Sequence, residues 1–129
     1  MEEKEKRNFR IKSTFHNLID KLIDTLISEI NEGRQTKLTE DFQKYLIELI
    51  SITGIQSKKE QDSGLKRIFE KQEKSLKSLL LSINEIKKKI KLGETTDSSS
   101  IRNSADEFKK LLKEEIASKS SMKKNKEAA

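Results

Sequence analysis

The chain of 129 residues contains no cysteine, no proline and no tryptophan, and it has only four glycines. The lack of cysteine excludes disulfides, thiolate metal ligands and a cysteine nucleophile. Few residues that interrupt a helix are present, and the alternation of apolar and polar residues that is typical of strands is absent. The sequence therefore predicts an all-α protein.

Long apolar runs are also absent. No run exceeds three residues, as at Leu79, Leu80 and Leu81, whereas a membrane-spanning helix needs about 20. The charged first residues are not followed by the apolar segment that a secretory signal contains. We therefore expect no membrane span and an intracellular location, in the cytoplasm or, as an alternative, in the nucleus.

Apolar residues are scarce and charged residues are abundant. Apolar residues make up 32% of the chain, against about 45–50% in a typical globular domain. Charged residues make up 39%, against about 25%. The length favours one domain, so we expect part of it to be linker or tail, or its core to be completed by another subunit. The net charge is +6, and residues 57–92, with 11 basic and 5 acidic side chains, supply all of it.

Two segments have apolar residues at helical spacing. In residues 9–32 these residues form one wide stripe, and Gly33 stands where a helix C-cap is expected. A second helix of about 14 residues is predicted to begin near Thr39, whose side chain suits an N-cap, and to end at Gly54. The stripe of the first helix consists of Phe15, Leu18, Ile19, Leu22, Ile23, Leu26, Ile27 and Ile30.

The third helix has a heptad pattern and is predicted over residues 63–92. Its seam positions are separated alternately by four and three residues, which is typical of a helix that packs along a neighbour in a coiled coil or bundle. Gln72 is the one polar seam residue, and such a residue can fix register and partner choice. Ser57 and Glu60 have capping-box spacing, and Gly93 is expected to end the helix. The seam consists of Leu65, Phe69, Gln72, Leu76, Leu79, Ile83, Ile86 and Ile90.

These segments predict an up-down-up three-helix bundle over residues 9–92, because short connections favour antiparallel neighbours. A charged arm (1–8) precedes it. A polar linker (93–100), a short amphipathic fourth helix (101–118) and a disordered tail (119–129) follow.

Motifs for chemistry are lacking. No glycine-rich phosphate loop, nucleophile elbow or paired-carboxylate motif occurs. His16, Asp20 and Asp24 are spaced four apart on the first helix, but a solvated polar stripe explains them better than a metal site does. We therefore predict no enzymatic activity, no cofactor and no metal.

The favoured function is a non-enzymatic helical interaction module, a small complex subunit or adaptor. The second helix is predicted to span about 21 Å and the third about 45 Å, so the end of the long seam lacks cover. Exposed apolar stripes of this kind mark interaction sites. A partner helix, a second copy of the chain or the fourth helix is expected to complete the bundle along residues 65–90. The predicted partner-binding residues are Leu76, Leu79, Ile83, Ile86, Ile90 and Gln72.

The alternative is a nucleic-acid-associated helical protein that uses the lysine-rich face of residues 57–92. Lys87, Lys88, Lys89 and Lys91 crowd the last turns, and clustered lysines neutralise phosphates. Cations also suit a helix C-terminus, and this segment has one arginine, the usual base-reading residue. A third interpretation, a surface or effector protein of a pathogen or mobile element, fits a composition typical of AT-rich genomes.

Overall fold

The computed structural model describes residues 2–32, 37–94 and 99–128, and within these ranges the chain forms α-helices and no strand. The helices are α1 (Glu2–Asn31), α2 (Lys37–Lys59), α3 (Ser63–Lys91) and α4 (Ser99–Ala128). The predicted all-α class is confirmed. Among the described residues, no helix has an apolar stretch of the length and hydropathy needed to cross a membrane.

Both ends of α3 are set by local hydrogen bonds. Asp62 is the N-cap, and its carboxylate accepts a hydrogen bond from the Leu65 backbone N–H at 2.8 Å, which satisfies an amide of the first turn. At the other end Gly93 has φ +72° and donates to Ile90 O, while Glu94 N–H donates to Lys89 O. This is a Schellman motif. The predicted start of the helix is confirmed, and so is the role of Gly93 at its end.

The second helix is longer than its sequence pattern predicts. It begins at Lys37, so Thr39 lies inside it, and it continues through Gly54 to Lys59. Ser57 is a helix residue whose hydroxyl donates to Gly54 O at 2.9 Å, and therefore the predicted capping box at this serine is wrong. Glycine inside a helix costs only about 1 kcal/mol, and the contacts that α2 makes with α3 outweigh that cost.

The first and last helices also extend beyond their predicted limits. α1 begins at Glu2, in the segment predicted as a charged arm, where acidic side chains suit the positive end of the helix dipole. α4 has 30 residues and runs across residues whose sequence predicts linker, short helix and tail. Lysine, which makes up four of residues 119–128, has high helix propensity.

Contacts between α2 and α3 show that these helices are antiparallel. Gln43 is hydrogen-bonded to Asn84, and Gly54, further along α2, lies against Glu73, which is earlier in α3. Moving along the pair in one direction, the residue numbers of α2 thus increase while those of α3 decrease. This pairing sets which residues of α2 and α3 lie level with each other.

α1 is antiparallel to both α4 and α2. Lys12 contacts Glu115, and Asp24 of α1 contacts Arg102 of α4. Against α2, Lys12 bonds to Gln56, and Phe15 packs on Phe42. Since α2 is antiparallel to α3, it follows that α3 and α4 are antiparallel as well, and α4 is a full member of the bundle and not a short addition.

The core fills the space between the four helices. Its centre is Phe15 of α1, whose ring lies 5.6 Å from that of Phe108, 5.9 Å from Phe42 and 5.4 Å from Tyr45, measured between centroids. The Tyr45 hydroxyl donates to Ile11 O at 3.1 Å. α1, α2 and α4 thus meet at one aromatic cluster.

Candidate functional site

The predicted partner surface on α3 lies inside the bundle. Leu76, Leu79 and Ile83 have no exposed surface, Ile86 is buried, and Ile90 packs against the same core. The six predicted partner-binding residues, which include Gln72, are therefore core residues and form no free surface. The reason is the length of α4, roughly 45 Å for 30 residues, which matches α3. Opposite this seam α4 places Ile101, Ala105, Phe108, Leu111 and Leu112.

Gln72 lies in a buried polar cluster that joins three helices. The cluster consists of Gln72 of α3, Lys12 of α1 and Glu115 of α4, all with 0% exposure. Lys12 Nζ donates to Gln72 Oε1 at 3.2 Å and forms an ion pair with Glu115. Gln72 Nε2 donates to Glu115 Oε1 at 2.9 Å and to Leu111 O at 3.3 Å.

The charges of the cluster are fully compensated. Lys12 uses its third donor on Gln56 at 2.9 Å, and its ammonium lies 4.7 Å from the centre of the Phe69 ring. Glu115 accepts a further hydrogen bond from Lys119 Nζ at 2.8 Å. A buried ion pair persists only when its remaining donors and acceptors are also satisfied, and that condition holds here.

Burial and pairing shift both ionisable groups. Burial lowers the pKa of Lys12 from 10.5 to about 8, against the opposing attraction of Glu115. Burial also raises the pKa of Glu115, but the charge of Lys12 and the hydrogen bonds from Lys119 and Lys12 outweigh it and lower this pKa overall. Both groups are therefore charged at neutral pH.

Sequence reasoning missed Lys12 and Glu115 although a signal was present. Lys12 precedes Phe15 by three residues, and Glu115 follows Leu112 by three, so each occupies the core-facing stripe of its helix. A charged residue at such a position indicates a buried partner. Together with Gln72 they place polar side chains at stripe positions of three different helices.

The four lysines of the nucleic-acid alternative do not form one surface. Lys88, Lys89 and Lys91 are exposed. Lys87 is half-buried between α2 and α3, where its Nζ donates to Gln43 Oε1 at 2.9 Å. Lys87 thus holds two helices together, while its three neighbours face solvent.

The exposed side of α3 is strongly basic. The helix has nine basic and three acidic residues, a net +6 that equals the charge of the whole chain. Seven of the basic residues are exposed and have no ion pair with another described residue: Lys66, Arg67, Lys71, Lys74, Lys88, Lys89 and Lys91. We call these seven, together with Lys77, which pairs with Glu73 at 3.9 Å, the basic face.

An apolar patch interrupts the basic face. Leu81 lies two residues from the buried Leu79 and from the buried Ile83, so it points away from the core, and it is 63% exposed. Beside α3, Ile47 of α2 is 56% exposed. Leu80, between them, is half-buried. We call Ile47, Leu80 and Leu81 the α2–α3 patch.

The polar stripe of α1 forms ion pairs with α4. Lys109 Nζ lies 2.8 Å from an oxygen of Asp20, and Arg102 lies 2.7 Å from Asp24. Nε2 of His16 is buried and has no hydrogen-bond partner. Across the described residues no group of three or more histidine or acidic side chains is arranged to hold a metal ion.

Comparison with known proteins gives no relative. The chain matches no protein family model, and the comparisons with curated proteins and with solved structures found no match.

Proposed function

We propose that this chain is a non-enzymatic helical interaction module, a complex subunit or adaptor, acting in the cytoplasm or nucleus. The observation that supports this function is the basic face of α3, with its exposed leucine, on a bundle whose seam is already filled. Seven exposed cations without ion pairs on one helix are costly for a chain to keep together, and an acidic partner would relieve their repulsion.

The binding surface in this proposal differs from the one that the heptad suggests. A partner helix along residues 65–90 would have to displace α4, and with it the buried pair of Lys12 and Glu115. Removing one partner of a buried pair costs about 3–5 kcal/mol. The outer side of α3 requires no such displacement.

Nucleic acid is the second candidate, and the exposure of Lys88, Lys89 and Lys91 favours it. Exposed lysines bind phosphates without sequence preference, and such binding weakens steeply with salt. The base-stacking aromatic residues that single-strand binding requires are, in this chain, mostly in the core: Phe15, Phe42, Phe69 and Phe108 are buried.

The test is affinity capture with the tagged chain and two variants. In the first, Lys74 and Lys88 are changed to glutamate; in the matched control, Lys110 and Lys113, exposed on α4, are changed to glutamate. We expect native partners to be recovered with the wild type and the control, and lost with the first variant. Nuclease treatment separates the candidates, because it abolishes recovery only if nucleic acid is bound. Equal recovery with all three chains would contradict the proposal.

A further inference from the structure

We propose that the α2–α3 patch is the docking site for an acidic amphipathic helix of a partner protein, whose apolar side chains cover Ile47 and Leu81 while its carboxylates pair with the lysines around them. This inference rests on the proposed function and names the partner chemistry of its surface.

Two polar contacts between α2 and α3 mark the ends of the site. At one end Gln43 is hydrogen-bonded to Asn84 and accepts from Lys87 at 2.9 Å. At the other end the Glu73 carboxylate lies over Gly54, so close that a Cβ there would be 2.7 Å from its oxygen. Between these two contacts lie Ile47 of α2 and Leu80 of α3.

Register places the apolar residues side by side. On α2, Ile47 follows Gln43 by four residues and precedes Gly54 by seven; on α3, Leu80 follows Glu73 by seven and precedes Asn84 by four. Because residues at these spacings share one helix face and the helices are antiparallel, Ile47 and Leu80 lie level. Leu81 extends this apolar surface onto the outer side of α3.

The surroundings of the patch are basic. Along the outer side of the two helices, within about two turns of Leu81 or Ile47, lie Lys44, Lys74, Lys77 and Lys88, all exposed. Glu85 is the acidic residue of α3 in the same stretch. Glu73 is engaged by Lys77 at 3.9 Å. On the α3 side of the apolar centre lysines therefore outnumber carboxylates, while the α2 side has exposed Glu40 and Glu48 as well as Lys44.

Charge complementarity selects an acidic protein segment as the occupant. An apolar centre with a charged rim is the arrangement of protein interfaces, and an amphipathic helix lying in the groove between two helices is a common way to fill it. Lys77 lies about 6 Å before Leu81 along α3 and Lys88 about 10 Å after it. The partner helix should therefore have carboxylates one turn to one side of its apolar anchor and two turns to the other.

Nucleic acid fits this patch less well. Phosphates gain nothing from Ile47, Leu80 and Leu81, and none of the three can stack on a base in the manner of an aromatic ring. Burying these side chains requires an apolar surface on the partner.

The experiment measures binding of the full chain to defined probes by fluorescence anisotropy. The probes are a labelled leucine–glutamate amphipathic helical peptide, a leucine–lysine peptide with the same apolar pattern, and a single-stranded oligonucleotide. We expect the acidic peptide to bind and the basic peptide not to bind. Changing both Ile47 and Leu81 to glutamine should weaken acidic-peptide binding at least about tenfold, the loss of an interface anchor worth more than 1 kcal/mol.

Matched variants make the result specific. Leu18 and Ile116 are apolar residues elsewhere on the bundle that are also exposed, by 46% and 44%. Changing both to glutamine should leave the Kd for the acidic peptide within about twofold of the wild-type value. Failure of the acidic peptide to bind, or equal binding by the patch variant, would overturn the inference. So would tighter binding of the oligonucleotide than of the peptide.

Failure of this inference can be told apart from failure of the proposed function. If captured native partners depend on the lysines of the basic face but not on Ile47 and Leu81, the interaction module stands and the docking of an amphipathic helix is wrong. If recovery depends on neither set, both are wrong.

Discussion

Lys12 of α1 and Glu115 of α4 form an ion pair in which neither side chain has any exposed surface, although 103 residues separate them in the sequence. Gln72 of α3 completes the contact by bonding to both. The cluster thus fixes the pairing of three helices at one point. Its chemistry leads to four predictions.

Changing Glu115 to leucine should lower the free energy of unfolding by about 3–5 kcal/mol, because Lys12 is left buried without its counter-ion. Urea denaturation at pH 7 measures this change. Glu114 to leucine is the matched control, since Glu114 is exposed, and it should change stability by less than about 0.5 kcal/mol.

Replacing the whole cluster by apolar residues should restore most of that loss. The triple variant Lys12→Met, Gln72→Leu, Glu115→Leu leaves no unpaired member, and such replacements are often neutral or stabilising. A triple variant as unstable as Glu115→Leu would show that the cluster is stabilising in its own right.

Glu115 should cause part of the loss of folding stability at acidic pH. Because its pKa is lowered in the folded chain from the usual 4.5, the stability that it contributes is present above pH 4.5 and is lost as the pH falls through the folded value. Wild-type Tm should therefore decline more steeply below pH 4.5 than that of Glu115→Gln. Glu114→Gln should follow the wild type.

On the alkaline side the stability should also rise with pH, here because of Lys12. The pKa of Lys12 is lowered to about 8 from 10.5, so between these values the unfolded chain binds more protons and stability rises with pH. Relative to Lys12→Met, the wild type should gain up to about 1.4 kcal/mol per pH unit in this interval. A constant difference from pH 8 to 10.5 would contradict the shift.

Changing Gly54 to alanine should stabilise the protein by up to about 1 kcal/mol, the difference in helix propensity. The new Cβ meets the end of the Glu73 side chain, which can rotate away. Gly93→Ala is the control with the opposite sign, because φ at this residue is +72° and alanine is strained there. Thermal unfolding monitored by circular dichroism measures both.

The heptad predicted α3 well because its information is local. Spacing alone identifies the seven seam positions from Leu65 to Ile86, all of which are buried, and the pair Asp62 and Gly93 closes the helix through hydrogen bonds to near neighbours. Gln72 also stood out, since one polar residue breaks an otherwise apolar pattern.

The partners of α3 were harder to predict because they depend on distant segments. The sequence of α4 is rich in lysine and serine, so its full length does not show in an apolar stripe, and with a short fourth helix the seam appears uncovered. Gly54 misled in a different way, since a glycine inside a helix resembles one that ends a helix. Lys12 and Glu115 acquire meaning only once α1 and α4 are side by side.

The pairing of α1 with α4 also has a consequence for synthesis. Ribosomes add about 5–20 residues per second, so α3 emerges on the order of seconds before the helix that covers it. During that interval Leu79 and Ile83 lack their α4 cover, and Lys12 lacks its counter-ion. The nascent chain therefore exposes an apolar seam to aggregation or chaperone binding in this interval, and slow codons between α3 and α4 would lengthen it.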